Sequence, residues 1–225
     1  MNEAVIVSGA RTPVRKFGGL FRDMPAPDLG AEAIKVALER ARVSPTLVDE
    51  VVMGNALQAS EAGYAARLAA LKAGIAPEVP TMAINRQCSS GLEAINMAAQ
   101  LIKTGEANIV VAGGMENMSR TPYILDYRAR FDGLRIGDST LVDGLVEGLG
   151  CPVNRYHMGV TAENVAKRFN VSRVEQDELA ALSHQRAVAA VKSGRFLSQI
   201  AEVTVPNSKG EVVRVDTDEG PRDDT

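Results

Sequence analysis

The 225 residues are 45 % hydrophobic and 24 % charged, with a formal net charge of -3 and two cysteines. That length can bury a substantial core in one large or two small domains, and the charge balance leaves no basic field for nucleic acid or an anionic membrane. Two cysteines far apart make no disulfide framework, and no CxxC or paired Cys/His spacing suggests a metal site, so a reducing, cytoplasmic compartment is expected.

The chain opens on MNEAVIVSGAR. An acidic residue stands where a signal peptide carries basic charge, and no long apolar run follows, so the segment reads as a strand from Ala4 to Ser8 rather than a leader. Further strand-like runs fall at Glu50 to Asn55, Thr81 to Asn85 and Asn108 to Gly113, with helical patterns at Asp28 to Arg42 and Tyr64 to Ala73. The first helix starts at Pro27-Asp28 and repeats Ile34, Ala37, Leu38 and Ala41 at helical spacing. This alternation predicts an α/β fold, a mostly parallel sheet with helices on its faces. No stretch is long and apolar enough to span a bilayer.

Residues 85–95 read NRQCSSGLEAI. Small and apolar residues then continue on nearly every face to Ile102, and Lys103-Thr104-Gly105 ends the run, which predicts a helix buried all round with Cys88 at its tip. The backbone N–H groups of a helix start have no intrahelical partner and carry partial positive charge, so a thiol placed there is a candidate nucleophile. A helix end activates a thiol only in part; a base must supply the rest.

From Ser119 the pattern changes to a long irregular stretch rich in glycine, the kind of excursion that is more often functional than disordered. Helices are predicted at Thr161 to Phe169 and Val174 to Ser193, the second behind a capping box of Ser172 and Glu175. Ile200 to Val205 and Glu211 to Val215 straddle Asn207-Ser208-Lys209-Gly210 and read as a hairpin. Cys151 reads as a bystander and His184 as part of a solvated helix face. The acidic run of Asp216, Asp218, Glu219, Asp223 and Asp224 also reads as solvated.

NRQCSSGLEAI resembles the nucleophile motif of the thiolases, the acyl-CoA C-acyltransferases. Other stretches match the family in order: SGARTPVRKFGGL its opening, AGGMENMSRTPY the strand and turn after the central helix, YHMGVTAENVA the substrate-side loop and helix, and DGLRIGDST with DEGPRDDT its loop-domain signatures. The resemblance implies a thiolase-like α/β half at 1–118, a mixed sheet with helices on both faces that carries the nucleophile. An α+β loop domain at 119–225 is implied to hold the coenzyme A side and a tetramerisation loop at Tyr123 to Asp138.

It also implies an activity. Cys88 accepts an acyl group as a thioester and passes it to a carbon nucleophile or to coenzyme A, with the Cys88 amide as one oxyanion donor. His157 and Met158 would line the pantetheine and acyl pocket. Arg222 would approach the nucleotide end of coenzyme A, where guanidinium suits phosphate and adenine. Acyl-CoA thioesters are the substrates and no further cofactor is expected.

Three features of the family have no counterpart: a Gly-His-Pro histidine that acts as base, an asparagine for the second acyl oxygen, and a cysteine in Cys-x-Gly. Arg15 also stands where many members have glycine. A C-terminal half or second subunit is therefore the expected partner, within a homo- or hetero-oligomer, and without it the apolar helix behind Cys88 would present an open face. Condensation of acetyl-CoA and thiolysis of a 3-ketoacyl-CoA both stay open. So do two alternatives, a 3-ketoacyl synthase-like enzyme and a noncatalytic subunit of the same fold.

Overall fold

The computed structural model describes residues 2–59, 63–207 and 209–224. In chain order the helices and strands are α1 (Ala26–Ala41), β1 (Glu50–Gly54), α2 (Ala65–Lys72), β2 (Thr81–Ile84), α3 (Ser90–Thr104), β3 (Val110–Gly114), β4 (Tyr123–Leu125), α4 (Ala129–Asp132), β5 (Leu141–Asp143), α5 (Gly144–Gly148), α6 (Met158–Phe169), α7 (Arg173–Lys192), β6 (Val203–Pro206) and β7 (Val212–Val215). They fall into two compact units, Met1–Arg120 with Ala190–Gly220, and Thr121–Ala189 with Pro221–Thr225. The division near residue 118 expected from the sequence thus lies at 120/121. The segment 190–220, expected in the loop domain, belongs instead with the first unit.

In the first unit β1 lies between β2 and β3 and is parallel to both, with Val51 beside Thr81 and Val111. Val51 and Val52 are sealed from solvent, as a central parallel strand covered on both faces requires. Because side chains alternate along a strand, Val51 and Met53 share one face and pack with Ile34 and Leu38 of α1 and Ala66, Ala69 and Ala70 of α2. Gly54 lies at the end of β1 against the start of α3. A Cβ there would stand 2.5 Å from the Ser90 carbonyl carbon and 2.6 Å from the Gly91 nitrogen, so only glycine lets the helix tip sit this close to the strand. The β6–β7 hairpin buries Val203, Val205 and Val215 against Phe21 and Leu29 in a second cluster. Ser208, in the expected hairpin turn, lies outside the described residues, as does Thr225.

Two sequence expectations change here. Residues 4–8 are not a strand, and Val5, Ile6 and Val7 are exposed. An apolar run becomes a strand only when another strand completes its ladder, and no described segment does so. Helix α3 forms where expected but is not buried all round. Ser90, Ala94 and Ala98 face β1 and β3, while Leu92 is 64 % exposed and Ile95 39 % exposed.

In the second unit β4 and β5 pair antiparallel, with Tyr123 beside Asp143. The Asp143 carboxylate caps α5 by accepting the Leu145 amide at 2.9 Å. Helix α7 starts from the expected capping box: Glu175 accepts the Ser172 amide at 2.7 Å, and the Ser172 hydroxyl accepts the Glu175 amide at 3.2 Å. Among the described residues no helix is long and apolar enough to cross a membrane.

Candidate active site

The first unit carries Cys88 on a tight turn between β2 and α3. Gln87 has φ of +51°, a left-handed conformation that costs a non-glycine residue about 1 to 3 kcal/mol unless its surroundings hold it there. Several hydrogen bonds do. Asn85 Oδ1 accepts the Gln87 amide at 3.0 Å, and the Gln87 carbonyl accepts the Ser90 hydroxyl at 2.6 Å and the Ser90 amide at 3.0 Å. The Ser90 hydroxyl in turn accepts the Arg86 amide at 2.8 Å, and the Arg86 carbonyl accepts the Ser89 amide at 3.2 Å. Arg86 also reaches forward to Glu93 on the first turn of α3, at 2.5 Å. Cys88 is a free, exposed thiol immediately before Ser89, the N-cap of α3. It lies at the carboxyl end of β2, where open α/β sheets place their ligands. An exposed thiol at a helix start is open to an incoming electrophile and lies near the partial positive charge of the helix end.

His157, Met158 and Arg222 lie in the second unit. His157 is the N-cap of α6, and its Nδ1 accepts the Gly159 amide at 3.0 Å, which assigns the proton of the neutral ring to Nε2. Met158 follows as the first residue of the helix and is exposed. The same loop forms a cavity of about 190 Å³, lined by Val146, Cys151, Arg155, Tyr156 and His157 among others. Arg222 is exposed, and its backbone N–H donates to His184 Nδ1 on α7 at 3.3 Å. His184 is therefore half-buried and anchors the 221–224 segment instead of standing on a solvated face.

Three further arrangements escaped the sequence. The Cys151 thiol is pulled below its usual range because its sulfur accepts N–H groups, chiefly that of Asn154 at 3.4 Å and then that of Val153. The acidic run is not uniformly solvated. Asp218 makes a two-pronged pair with Arg11, 2.8 Å on each prong, and accepts the Val14 amide at 2.8 Å, while Glu219 pairs with Arg15 at 3.1 Å. The Arg11 guanidinium holds the Asp218 carboxyl below the usual carboxylate range, and it also stacks over Phe196, 5.1 Å from the ring centre. These acids thus pin the ARTPVRK loop. Finally, Asn117 is buried and donates to the Phe21 and Met24 carbonyls, both at 2.7 Å.

Residues 4–225 match the family model described as the thiolase N-terminal domain. The chain is 51 % identical over 220 residues to an acetyl-CoA acetyltransferase of Cupriavidus necator, covering 97 % of this chain and 56 % of that protein. It is 47 % identical over 223 residues to an acetyl-CoA acetyltransferase of Pseudomonas aeruginosa, covering 99 % and 56 %. A crystal structure of the Bacillus anthracis acetyl-CoA acetyltransferase superposes with a TM-score of 0.93 at 38 % identity, covering all of this chain and 56 % of that one. The chain thus spans about half the length of the relatives it matches.

Proposed function

The chain belongs to the thiolase N-terminal-domain family, and from that premise we propose that it supplies the nucleophile of an acyl-CoA C-acyltransferase. The observation that carries this reading is the turn that presents exposed Cys88 at the start of α3, held by hydrogen bonds through a left-handed Gln87. The names of the relatives, acetyl-CoA acetyltransferases, supply the substrate class.

The proposed reaction has two steps. The Cys88 thiolate attacks the carbonyl carbon of an acyl-CoA; the carbon–sulfur bond to coenzyme A breaks, and the coenzyme A thiolate takes up the proton that Cys88 released. The acyl group, now a thioester on Cys88, then leaves to the α-carbon of a second acyl-CoA, which has lost a proton, and the Cys88 sulfur departs as a thiol. Run in reverse, coenzyme A cleaves a 3-ketoacyl-CoA. The negative oxygen formed in each acyl transfer needs backbone donors, of which the Cys88 amide would be one. His157 would offer its Nε2–H and Met158 its thioether to the pantetheine and acyl portion, and Arg222 its guanidinium to the nucleotide end.

A base for Cys88 and a second acid/base group would come from a C-terminal half, whether in one longer polypeptide or on a separate subunit, and the exposed apolar face of α3 supports such a partner. We place the assembly in the cytoplasm as an oligomer, with Tyr123 to Asp138 as its tetramer contact and no cofactor beyond the coenzyme A thioesters.

The test is thiolysis of acetoacetyl-CoA by the chain alone and co-produced with the C-terminal half of the Cupriavidus necator relative. Turnover is expected only with both halves, and not with Cys88→Ala. Full turnover in the Cys88→Ala protein would sink the reading.

A further inference from the structure

Behind the Cys88 turn lies a second set of hydrogen bonds, anchored by a residue that the proposed reaction does not use. Glu116 follows β3, and its carboxylate accepts three N–H groups from the loop after β1: the Asn55 side-chain amide at 3.0 Å, the Ala56 backbone amide at 2.9 Å and the Leu57 backbone amide at 3.0 Å. Asn55 is 2 % exposed and donates as well to the Met115 carbonyl at 3.0 Å. The loop so fixed offers its Ala56 carbonyl to the Asn85 side chain at 2.8 Å. Asn85 is the residue whose Oδ1 holds the Gln87 amide. One continuous path therefore runs from the Glu116 carboxylate through Ala56 and Asn85 to the left-handed residue that precedes Cys88.

We propose that Glu116 is a positioning residue for the nucleophile: its carboxylate sets the 55–57 loop, which orients Asn85, which holds Gln87 left-handed and Cys88 at the start of α3. The physical case rests on donor counting. The Asn55 side chain takes one oxygen and the Ala56 and Leu57 amides share the other, so both acceptor atoms are used; an isosteric Gln keeps one acceptor and sets its own NH₂ against a donor. The loop would then shift, the Ala56 carbonyl would leave Asn85, and Gln87 would lose one of the bonds that hold its left-handed conformation, the one on its amide. The three strands β1, β2 and β3 end side by side, and this path links the carboxyl ends of all three, so the nucleophile is set by the whole sheet edge and not by its own turn alone.

The inference rests on Cys88 being the acyl acceptor, but its test reads the thiol directly. Iodoacetamide alkylation rates of Cys88 and Cys151 are measured on the same full chain by peptide mass spectrometry, for wild type, Glu116→Gln, Asn85→Ala and the double variant. Cys151 lies in the other unit and reports any general loosening. Cys88 alkylation is expected to slow about tenfold in each single variant, with Cys151 within twofold of wild type. The double variant should be no more than twofold slower than the slower single, because both changes cut one path. Glu116→Asp, which keeps two acceptor oxygens, should be faster than Glu116→Gln. Asn85 is exposed, so Asn85→Ala keeps the question answerable if the Glu116 variants fold poorly.

A Cys88 rate within twofold of wild type in Glu116→Gln or Asn85→Ala would overturn the proposal, as would equal losses at both cysteines or effects that multiply in the double variant. Acetylation by acetyl-CoA, followed in parallel on the wild type co-produced with the C-terminal half of the Cupriavidus necator relative, separates the two readings. If iodoacetamide modifies Cys88 and acetyl-CoA does not, the acyl-transfer reading fails while the positioning claim is still judged by the alkylation rates.

Discussion

In the first unit Ile34 is 3 % exposed and Val51 fully buried, whereas among the described residues of the second unit Gly144 alone is buried, and Phe131 and Leu179 stand 77 % and 66 % exposed. The first unit is a sheet with helices on its faces, and its apolar residues close over one another. The second is made of short elements and two helices, α6 and α7, that have no buried residue. Stability in the second unit therefore rests on local devices such as the α7 capping box and the Asp143 cap. The strained turn, in contrast, sits in the unit that has enough packing to hold it.

Truncating one large aliphatic side chain in each unit should show the largest difference. Ile34→Ala should destabilise the chain by about 2 to 5 kcal/mol, because it opens a cavity in a closed core. Leu179→Ala should change stability by less than about 0.5 kcal/mol, as surface substitutions do. Urea unfolding with a probe in each unit reads both, and equal losses would mean that α7 is covered in solution.

A smaller effect tests the contact under the helix tip. Gly54→Ala drives a methyl group into the Ser90–Gly91 backbone and should cost about 1 to 3 kcal/mol. It should also change Cys88 alkylation, since the backbone that must yield is the one supporting the turn.

Next comes Asp218→Asn, which removes the carboxylate paired with Arg11 and should cost about 1 to 2 kcal/mol at pH 7, a value at the lower end for charged hydrogen bonds because Arg11 is part-exposed. The Asp218 carboxyl titrates below its unfolded value. Its contribution is therefore complete above the unfolded value near ~3.9 and is lost as the pH falls through the lower folded one. The melting-temperature gap between wild type and variant should hold at neutral pH and close in acid; a gap that widened in acid would reverse the assignment.

The smallest expected effect belongs to the cap in the second unit. Ser172→Ala should cost about 1 kcal/mol and raise hydrogen exchange at the first turn of α7, leaving the β1 amides unchanged. Loss of protection in β1 would show that the units unfold together.

Legibility in the sequence followed the range of the interaction. Strands β1, β2 and β3, helices α1, α2 and α3 and the Ser172–Glu175 box were readable because apolar period, Pro27-Asp28 and the cap residues act over a few positions. The turn that carries Cys88 was readable as a location but not as a strained one, since the left-handed Gln87 has no local signature. Arg11 and Asp218 lie 207 positions apart and Glu116 and Ala56 60 apart, so nothing in either segment announces the other. The segment at 4–8 misled in the opposite sense: Val5, Ile6 and Val7 have the composition of a strand, but strand formation is a pairing and not a property of one segment. His157 was singled out for ligand contact, and the structure adds a local task, capping α6 through Nδ1, that leaves Nε2–H as its donor.

The most direct test of the account is to incubate the chain, co-produced with the C-terminal half of the Cupriavidus necator relative, with acetyl-CoA and read each of this chain's cysteine-containing peptides by mass spectrometry. The account predicts the mass gain of one acetyl group on the Cys88 peptide, reversed by added coenzyme A and absent in Cys88→Ala. Acetylation confined to Cys151, or none at Cys88 while iodoacetamide still alkylates it, would contradict the claim that Cys88 is the acyl acceptor.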